Sequence, residues 1–406
     1  YMNKIKKSDH YYLIDGSGYI FRAYYALPPL TRKSDGMPTG AVSGFCNMLF
    51  KLLQDATSEE NENKPTHFVV IFDSARKNFR NEIYSDYKAN RSEAPEDLVP
   101  QFEYIRKSVK AFNLPSVELL NYEADDLIAT YSDQILKRGA EVTIVSSDKD
   151  LMQLYKKNIR IFDPMKSKFI DKDDIYKKFG VKPEKVIDVQ SLAGDSSDNI
   201  PGVPGIGIKT AAELINTYGD LENLLKNAGE IKQNKRRQTI IQNKKKALIS
   251  KELVTLKKDV PVKNNLNEFK LKAINREKLY NFLREMEFNR LLSSVIAVYG
   301  EVSFSENKNI VKEKINEKIS KKNYEIIKSE GEIEKWLNEA EEFGEVSIDT
   351  ETTSLDPHQA KLVGISLSTK IGKAAYIPLG HKKGENLNEI NVLKKLKPIL
   401  EDKSIK

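Results

Sequence analysis

The chain has 406 residues, more than one ordinary domain holds, with Lys+Arg 66 against Asp+Glu 59 and a formal charge of +7. That mild basic surplus admits a polyanionic partner without requiring one. A single cysteine, Cys46, and four scattered histidines, His10, His67, His358 and His381, exclude a disulfide framework, a thiolate zinc site and a histidine cage. A metal here would be held by carboxylates, which suits Mg²⁺ or Mn²⁺. No apolar run approaches the roughly 20 residues of a membrane span, and the first residues lack a signal-peptide core, so the expected location is cytoplasmic.

Three short apolar runs each end in an acid. Tyr11-Tyr12-Leu13-Ile14 runs into Asp15, Phe68-Val69-Val70-Ile71-Phe72 into Asp73, and Val142-Thr143-Ile144-Val145 into Ser146, Ser147 and Asp148. Such continuous runs read as parallel strands buried on both faces. Helical patterns lie between them, as at Ala41 to Leu53 and Ala124 to Lys137. This alternation specifies a doubly wound α/β sheet, in which ligands sit beyond the carboxyl ends of the strands. Asp15, Asp73 and Asp148 would all stand on that edge. From about Lys182 to Gly300, helices separated by Gly/Pro loops read as a helical subdomain packed on the sheet. The expected units are an α/β domain over 1–180, a helical subdomain over 181–300, a Lys/Asn/Glu/Ser-rich linker over 301–323 and an incomplete second α/β unit over 324–406.

Two tighter acidic clusters join the strand-end acids. Glu123, Asp125 and Asp126 precede the apolar helix beginning Leu127-Ile128, and Glu123 and Asp126 share one face of it. Asp148 and Asp150 stand two residues apart, and Asp195 and Asp198 three apart in Gly194-Asp195-Ser196-Ser197-Asp198-Asn199. Each has a plain reading. Acids at a helix start complement the dipole, Asp148 can cap the helix near Leu151, and Asp195 and Asp198 can shape a turn. Gathered on one rim, so many acids repel one another unless cations neutralise them. Paired hard cations are a standard device for phosphodiester cleavage, one activating water and one stabilising the leaving oxygen.

Basic and aromatic residues follow Asp73: Ala75-Arg76-Lys77-Asn78-Phe79-Arg80, then Tyr84, Tyr87, Lys88 and Arg91. Arg80, Tyr84, Tyr87 and Arg91 are spaced for one helix face, which suits phosphate contact and base stacking, against the alternative of a solvated helix. Gly202-Val203-Pro204-Gly205-Ile206-Gly207-Ile208-Lys209-Thr210 reads as a hairpin opening a helix near Lys209. Its glycines let backbone N–H groups and the helix dipole approach a phosphate without reading bases. A plain tight turn is the alternative. The basic run between Lys232 and Lys251 reads either as solvated helix faces or as non-specific duplex affinity that salt weakens.

Residues about 10–300 resemble the 5′-nuclease domain of bacterial-type DNA polymerase I, in the flap-endonuclease superfamily. The resemblance rests on Leu13-Ile14-Asp15-Gly16-Ser17, Phe72-Asp73, Tyr122 to Asp126, Ser147 to Asp150 and Gly194 to Gly207 in that order. It implies a PIN-like α/β fold with a helical arch and a helix-three-turn-helix subdomain. It implies metal ligation by Asp15, Asp73, Glu123, Asp125, Asp126, Asp148, Asp150, Asp195 and Asp198. Lys77 and Arg80 would be the arch cations that orient the scissile phosphate, while Arg76, Tyr84, Tyr87 and Arg91 would handle the 5′ strand. Gly202, Gly205, Gly207, Lys209 and Thr210 would grip duplex DNA, in this family beside a K⁺ ion. The implied partners are flapped, nicked or gapped DNA and RNA primers on DNA, met by a monomer.

The stretch after Tyr324 resembles the start of a 3′–5′ exonuclease domain of RNase H-like fold. Asp349-Thr350-Glu351-Thr352 with Ser354-Leu355-Asp356 matches its first metal-binding motif. The later acidic motifs and a polymerase domain are absent from these 406 residues, so Asp349 and Glu351 are expected to be vestigial here, with polymerase attached elsewhere or supplied separately. Two other functions fit parts of the pattern. One is a non-catalytic DNA-binding module, the other a PIN-type ribonuclease of single-stranded RNA. Intact strand-end acids weigh against the first, and the duplex-gripping hairpin against the second.

Overall fold

The computed structural model describes residues 6–301, 324–343, 346–354, 359–370 and 373–402. These fall into two compact units, Tyr1–Val302 and Ser303–Lys406.

The first unit is built on six strands: β1 His10–Asp15, β2 His67–Ile71, β3 Ser116–Val117, β4 Glu141–Val145, β5 Ile159–Asp163 and β6 Lys168–Ile170. Their order is β3-β2-β1-β4-β5-β6, parallel except for the antiparallel β5–β6 pair. β1 lies between β2 and β4, with Asp15 opposite Ile71 and Ile14 opposite Val145. Every residue of β1 and β2 is buried, which explains the unbroken apolar runs.

Alternate residues on the central strands serve opposite layers. Tyr12, Ile14, Phe68, Val70 and Phe72 pack on α1 (Gly16–Ala26), α2 (Gly40–Thr57) and α4 (Gln101–Ala111), the short α3 (Arg80–Ile83) preceding α4 in the chain. Tyr11, Leu13, Val69 and Ile71 pack on α5 (Ala124–Lys137), whose Leu127, Ile128, Tyr131 and Ile135 form its inner stripe. Beyond α5 the same core continues into α6 (Lys172–Phe179), α7 (Val186–Ala193), α8 (Ile208–Tyr218), α9 (Leu221–Lys226), α10 (Asn234–Gln242) and α11 (Lys244–Val254). The last helices, α12 (Arg276–Glu285) and α13 (Asn289–Tyr299), cross to the opposite face and pack with α2 and α4. The stretch 181–300 is thus shared between two faces of the sheet, where the sequence reading kept it in one subdomain.

The second unit is a four-stranded sheet ordered β7-β10-β9-β8, from β7 (Tyr324–Ile326), β8 (Ser347–Thr352), β9 (Leu362–Lys370) and β10 (Lys373–Pro378). Only β7 and β10 run parallel. Helices α14 (Glu330–Phe343) and α15 (Glu389–Glu401) contribute Ile333, Trp336, Val392 and Leu396 to its core. Asp349 and Glu351 stand exposed on β8. Asp356 lies outside the described residues. No helix among the described residues is long and apolar enough to cross a membrane.

Candidate active site

The carboxyl ends of β1, β2 and β4 carry the acids that the sequence placed there. Asp15 closes β1 and caps α1, its Oδ1 accepting from Gly18 N at 2.8 Å, while Ser146 Oγ donates to Oδ2 at 2.7 Å. Asp73 lies two residues past β2. Its N–H donates to Ser17 Oγ at 2.8 Å, and its Oδ1 accepts from Ala124 N at 2.7 Å. Asp148 follows β4, its N–H donating to Ser146 Oγ at 3.0 Å and its Oδ1 accepting from Asp150 N at 2.8 Å. Gln190 from α7 donates to Asp150 Oδ1 at 2.6 Å. Asp125 enters from the first turn of α5.

These acids act on one another. Burial pushes Asp15 up to about 6, with Asp73 and Asp148 adding repulsion. Burial also carries Asp125 well above the ordinary carboxylate range, and Asp148, Asp15, Asp73 and Glu123 all push the same way. Asp150 is pushed up to about 6 by burial and then by Asp148. Asp73 is raised by the protein packed around it and by Glu123, although part of its surface meets solvent. No ion pair involves Asp15, Asp73, Asp125, Asp148 or Asp150 among the described residues. This is the electrostatic frustration that a cation relieves.

The remaining four acids are differently engaged. Asp126 is fully buried and receives both guanidinium arms of Arg80, Nη1 to Oδ2 at 2.7 Å and Nη2 to Oδ1 at 2.8 Å. Lys257 N donates to the same Oδ1 at 2.9 Å. Glu123 meets Lys88, Arg80 Nη1 at 3.3 Å and the Tyr87 hydroxyl at 2.9 Å. Asp198 is bound by Arg91, with Lys88 Nζ at 3.5 Å. Asp195 takes the Lys149 ammonium and accepts from Ser197 N at 2.9 Å. Burial alone would raise Asp195, but Lys149 and Ser197 hold it below its ordinary value. Among the described residues no three His, Cys, Asp or Glu side chains already surround one point as an ion cage does. Four of the nine acids, Glu123, Asp126, Asp195 and Asp198, are paired with a lysine or arginine.

Several assignments therefore change. Arg80 does not face a phosphate. It is 1% exposed, donates Nε to Leu253 O at 2.8 Å and Nη2 to Thr255 O at 3.3 Å, and serves the buried Asp126. Asp126, expected as a metal ligand, is committed to that pair. The single helix face through Arg80, Tyr84, Tyr87 and Arg91 does not form, because α3 ends at Ile83 and Tyr84 turns extended at φ −145°. Tyr87 is buried with its hydroxyl on Glu123, so it presents no ring for base stacking, and Tyr84 packs partly buried against the cluster of Tyr87, Ile200, Leu253 and Val254. Lys77 is exposed. Lys88, named in the basic run but given no role there, is held in the left-handed region at φ 53° between Glu123 and Asp198. Its signal was present in Tyr87-Lys88-Ala89-Asn90-Arg91, where two cations stand three apart after an aromatic.

Lys88, Arg91, Arg76 and Arg106 line a cleft of about 350 Å³ with Asp73, Glu123, Ile20, Phe21 and Phe102.

The hairpin is divided by burial. Gly205, Gly207 and Lys209 are exposed at the first turn of α8, with Thr210 partly exposed behind them. Gly202 is buried, a correction to its expected contact with DNA. Its φ is +58°, and a Cβ there would lie 2.4 Å from Gly194 N. The requirement for glycine is internal: two backbones cross at Gly194 and Gly202, and Gly202 N donates to Ser250 Oγ at 2.9 Å.

An acid-rimmed parallel sheet carrying a helical hairpin layer defines a nuclease architecture, and comparison with known proteins agrees. A family model described as the 5′-3′ exonuclease N-terminal resolvase-like domain matches residues 10–180. One described as the 5′-3′ exonuclease C-terminal SAM fold matches 181–277, and a 3′-5′ exonuclease model matches 324–406. A 5′-3′ exonuclease of Aquifex aeolicus is 37% identical over 72% of this chain and 97% of its own length. The chain belongs to the 5′-3′ exonuclease family. DNA polymerase I of Rhizobium leguminosarum is 43% identical over 99% of this chain, which spans 47% of that relative. The chain spans about half or less of the length of the DNA polymerase I relatives it matches. Among solved structures, a T5 5′-exonuclease with bound zinc has the same fold, with TM-score 0.51 and 21% identity over 69% of this chain and 98% of that one.

Proposed function

We propose that the first unit is a divalent-metal-dependent, structure-specific 5′ nuclease of a DNA polymerase I, hydrolysing phosphodiester bonds near the 5′ ends of flapped or nicked DNA during primer removal and repair. The observation that carries this reading is the group of Asp15, Asp73, Asp125, Asp148 and Asp150, in no ion pair among the described residues, with Asp73 also lining a cleft that Lys88, Arg76 and Arg91 line.

The donor set fits hard cations such as Mg²⁺ or Mn²⁺: it is all oxygen and strongly anionic. Asp15, Asp73, Asp125, Asp148 and Asp150 would hold the inner ions, with Glu123, Asp195 and Asp198 joining once their lysine and arginine partners turn away. Bound ions would supply an activated water and charge stabilisation at the leaving oxygen.

The chain's own residues do the rest. Lys88 and Arg91 stand where a phosphate entering the cleft would replace Glu123 and Asp198 as their partners, and they orient it and offset its charge. Gly205, Gly207, Lys209 and Thr210 hold a duplex backbone through the exposed start of α8. Arg80 and Asp126 tie α3 to α5 and do not touch substrate. The test is cleavage of a 5′-flap DNA with Mg²⁺ and with EDTA. Cutting near the junction that requires the metal supports the reading, and binding without cutting under any divalent ion leaves only a DNA-binding module.

A further inference from the structure

The segment that presents Lys88 and Arg91 is fastened to the loop that presents Asp195 and Asp198 by two asparagines acting in opposite directions. Asn90 Nδ2 donates to Ser196 O at 2.8 Å, and Asn199 Nδ2 donates to Asp86 O at 2.7 Å. Each side chain reaches across to the other segment's backbone. Lys88 N donates to Asp198 O at 2.9 Å between them. Asn199 is itself left-handed at φ 55°, matching Lys88 at φ 53° on the facing segment. Asparagine tolerates that conformation better than most side chains, which suits it to the place.

We propose that Asn90 and Asn199 form a neutral latch that keeps Lys88 and Arg91 over the acidic rim while their charged partners are exchanged. It deepens the nuclease reading above and rests on it. The present ionic contacts of the segment, Lys88 to Glu123 and Asp198 and Arg91 to Asp198, join the very groups that substrate and cations would claim. Those contacts must break as phosphate enters. The amide-to-carbonyl bonds involve no titrating or metal-binding atom and persist through the exchange.

The latch also joins two functions. The loop Asp195–Ile200 is closed on itself by Asp195 N to Ile200 O at 3.0 Å and Ile200 N to Asp195 O at 2.8 Å. It continues through Gly202, packed on Gly194, into the hairpin at the start of α8. A duplex seated on that hairpin therefore bears on a rigid loop whose far side holds the two cations. Asn90 and Asn199 are positioning residues: they make the cation geometry depend on the duplex-binding loop, so that unpaired strands without a duplex arm are cut poorly.

The variants Asn90→Ala, Asn199→Gly (which keeps the left-handed backbone) and their double test this. In EDTA, tryptic cleavage after Lys88 and Arg91 should accelerate about threefold to tenfold in each single variant, the range one net hydrogen bond gives when cleavage follows opening. Duplex affinity by fluorescence anisotropy and the thermal midpoint should stay near wild type. With Mg²⁺, the single-turnover rate on flap DNA should fall about tenfold with KM unchanged. The preference for flap DNA over single-stranded DNA should shrink with it. The double variant should lose less than the product of the single losses, because both bonds close one latch. Unchanged proteolysis at Lys88 and Arg91 overturns the latch whether or not the wild type cuts DNA. A wild type that never cuts, with proteolysis still accelerated in the variants, removes the nuclease reading and leaves the latch in place as a mechanical contact.

Discussion

Arg80 and Asp126 meet through two parallel hydrogen bonds of 2.7 and 2.8 Å, both side chains at 1% exposure or less. The same guanidinium reaches Leu253 O and Thr255 O, so one arginine ties α3 and α5 to the end of α11. Removing one partner of a buried pair strands the other charge. Arg80→Ala is expected to lower unfolding free energy by about 3–5 kcal/mol, read by urea titration. The paired replacement Arg80→Met with Asp126→Leu should recover part of that loss. A cost near zero for Arg80→Ala would mean that the arginine is solvated and free to serve substrate.

Among the described residues Asp125 makes no ion pair, and it feels four other acids. Asp125→Asn should abolish cutting, by about three orders of magnitude or more, consistent with the several kcal/mol an ion supplies. It should leave flap binding intact and raise the thermal midpoint of the metal-free protein near pH 8, because a repelled, half-buried charge is gone. Lower stability in the variant would show that Asp125 is already satisfied without metal.

The pH dependence follows from Asp15 and Asp150, each raised to about 6 from an ordinary 3.8. Between those values the folded chain holds more protons than the unfolded one. Their contribution to stability is therefore full below about pH 4 and is lost as pH rises through about 6. Thermal scans in EDTA should show this decline, superimposed on the opposite trend from acids with lowered pKa such as Asp195. The midpoint gained on adding Mg²⁺ should be largest above pH 7 and shrink through pH 6, as protons compete for the same oxygens. A metal-induced gain independent of pH would place the ion elsewhere.

Lys88 and Lys77 separate two accounts of the arch. Lys88→Ala should slow single-turnover cutting about 10²–10³-fold, the range for one preorganised charge at a developing anion. Lys77→Ala, at an exposed position, should cost about threefold or less, within the range of a surface contact. The reverse order would return the role to Lys77.

Gly202 and Gly207 separate internal from external glycines. Gly202→Ala forces a side chain at φ +58° into backbone 2.4 Å away and should cost about 3 kcal/mol or more of stability. At Gly207 a Cβ meets nothing within 4 Å. Gly207→Ala should leave the thermal midpoint unchanged and weaken duplex binding, which anisotropy would measure.

Much of this site was legible because parallel strands buried on both faces write themselves as unbroken apolar runs, and their ends locate Asp15, Asp73 and Asp148. Helix α5 likewise follows from its stripe. What the sequence could not supply was partnership across long separations. Arg80 to Arg91 has helical spacing, yet the chain leaves the helix at Tyr84 because Asp198 and Asn199, more than 100 residues away, hold Lys88 and Asp86 in another path. The burial of Arg80 depends on Leu253 and Thr255, equally remote. The acids form one class in the sequence, although among the described residues five make no ion pair and four are already paired. Helices α12 and α13 show an apolar stripe whichever face of the sheet they cover, so their crossing to α2 and α4 left no mark in the pattern.

The most direct test is a cleavage assay on a labelled 5′-flap DNA, with Mg²⁺ and with EDTA, for the wild type beside Asp125→Asn. Cutting near the flap junction that needs Mg²⁺ and disappears in the variant, with flap affinity retained, is the expected result. Tight flap binding with no cutting under any divalent ion, or undiminished cutting by Asp125→Asn, would contradict the account.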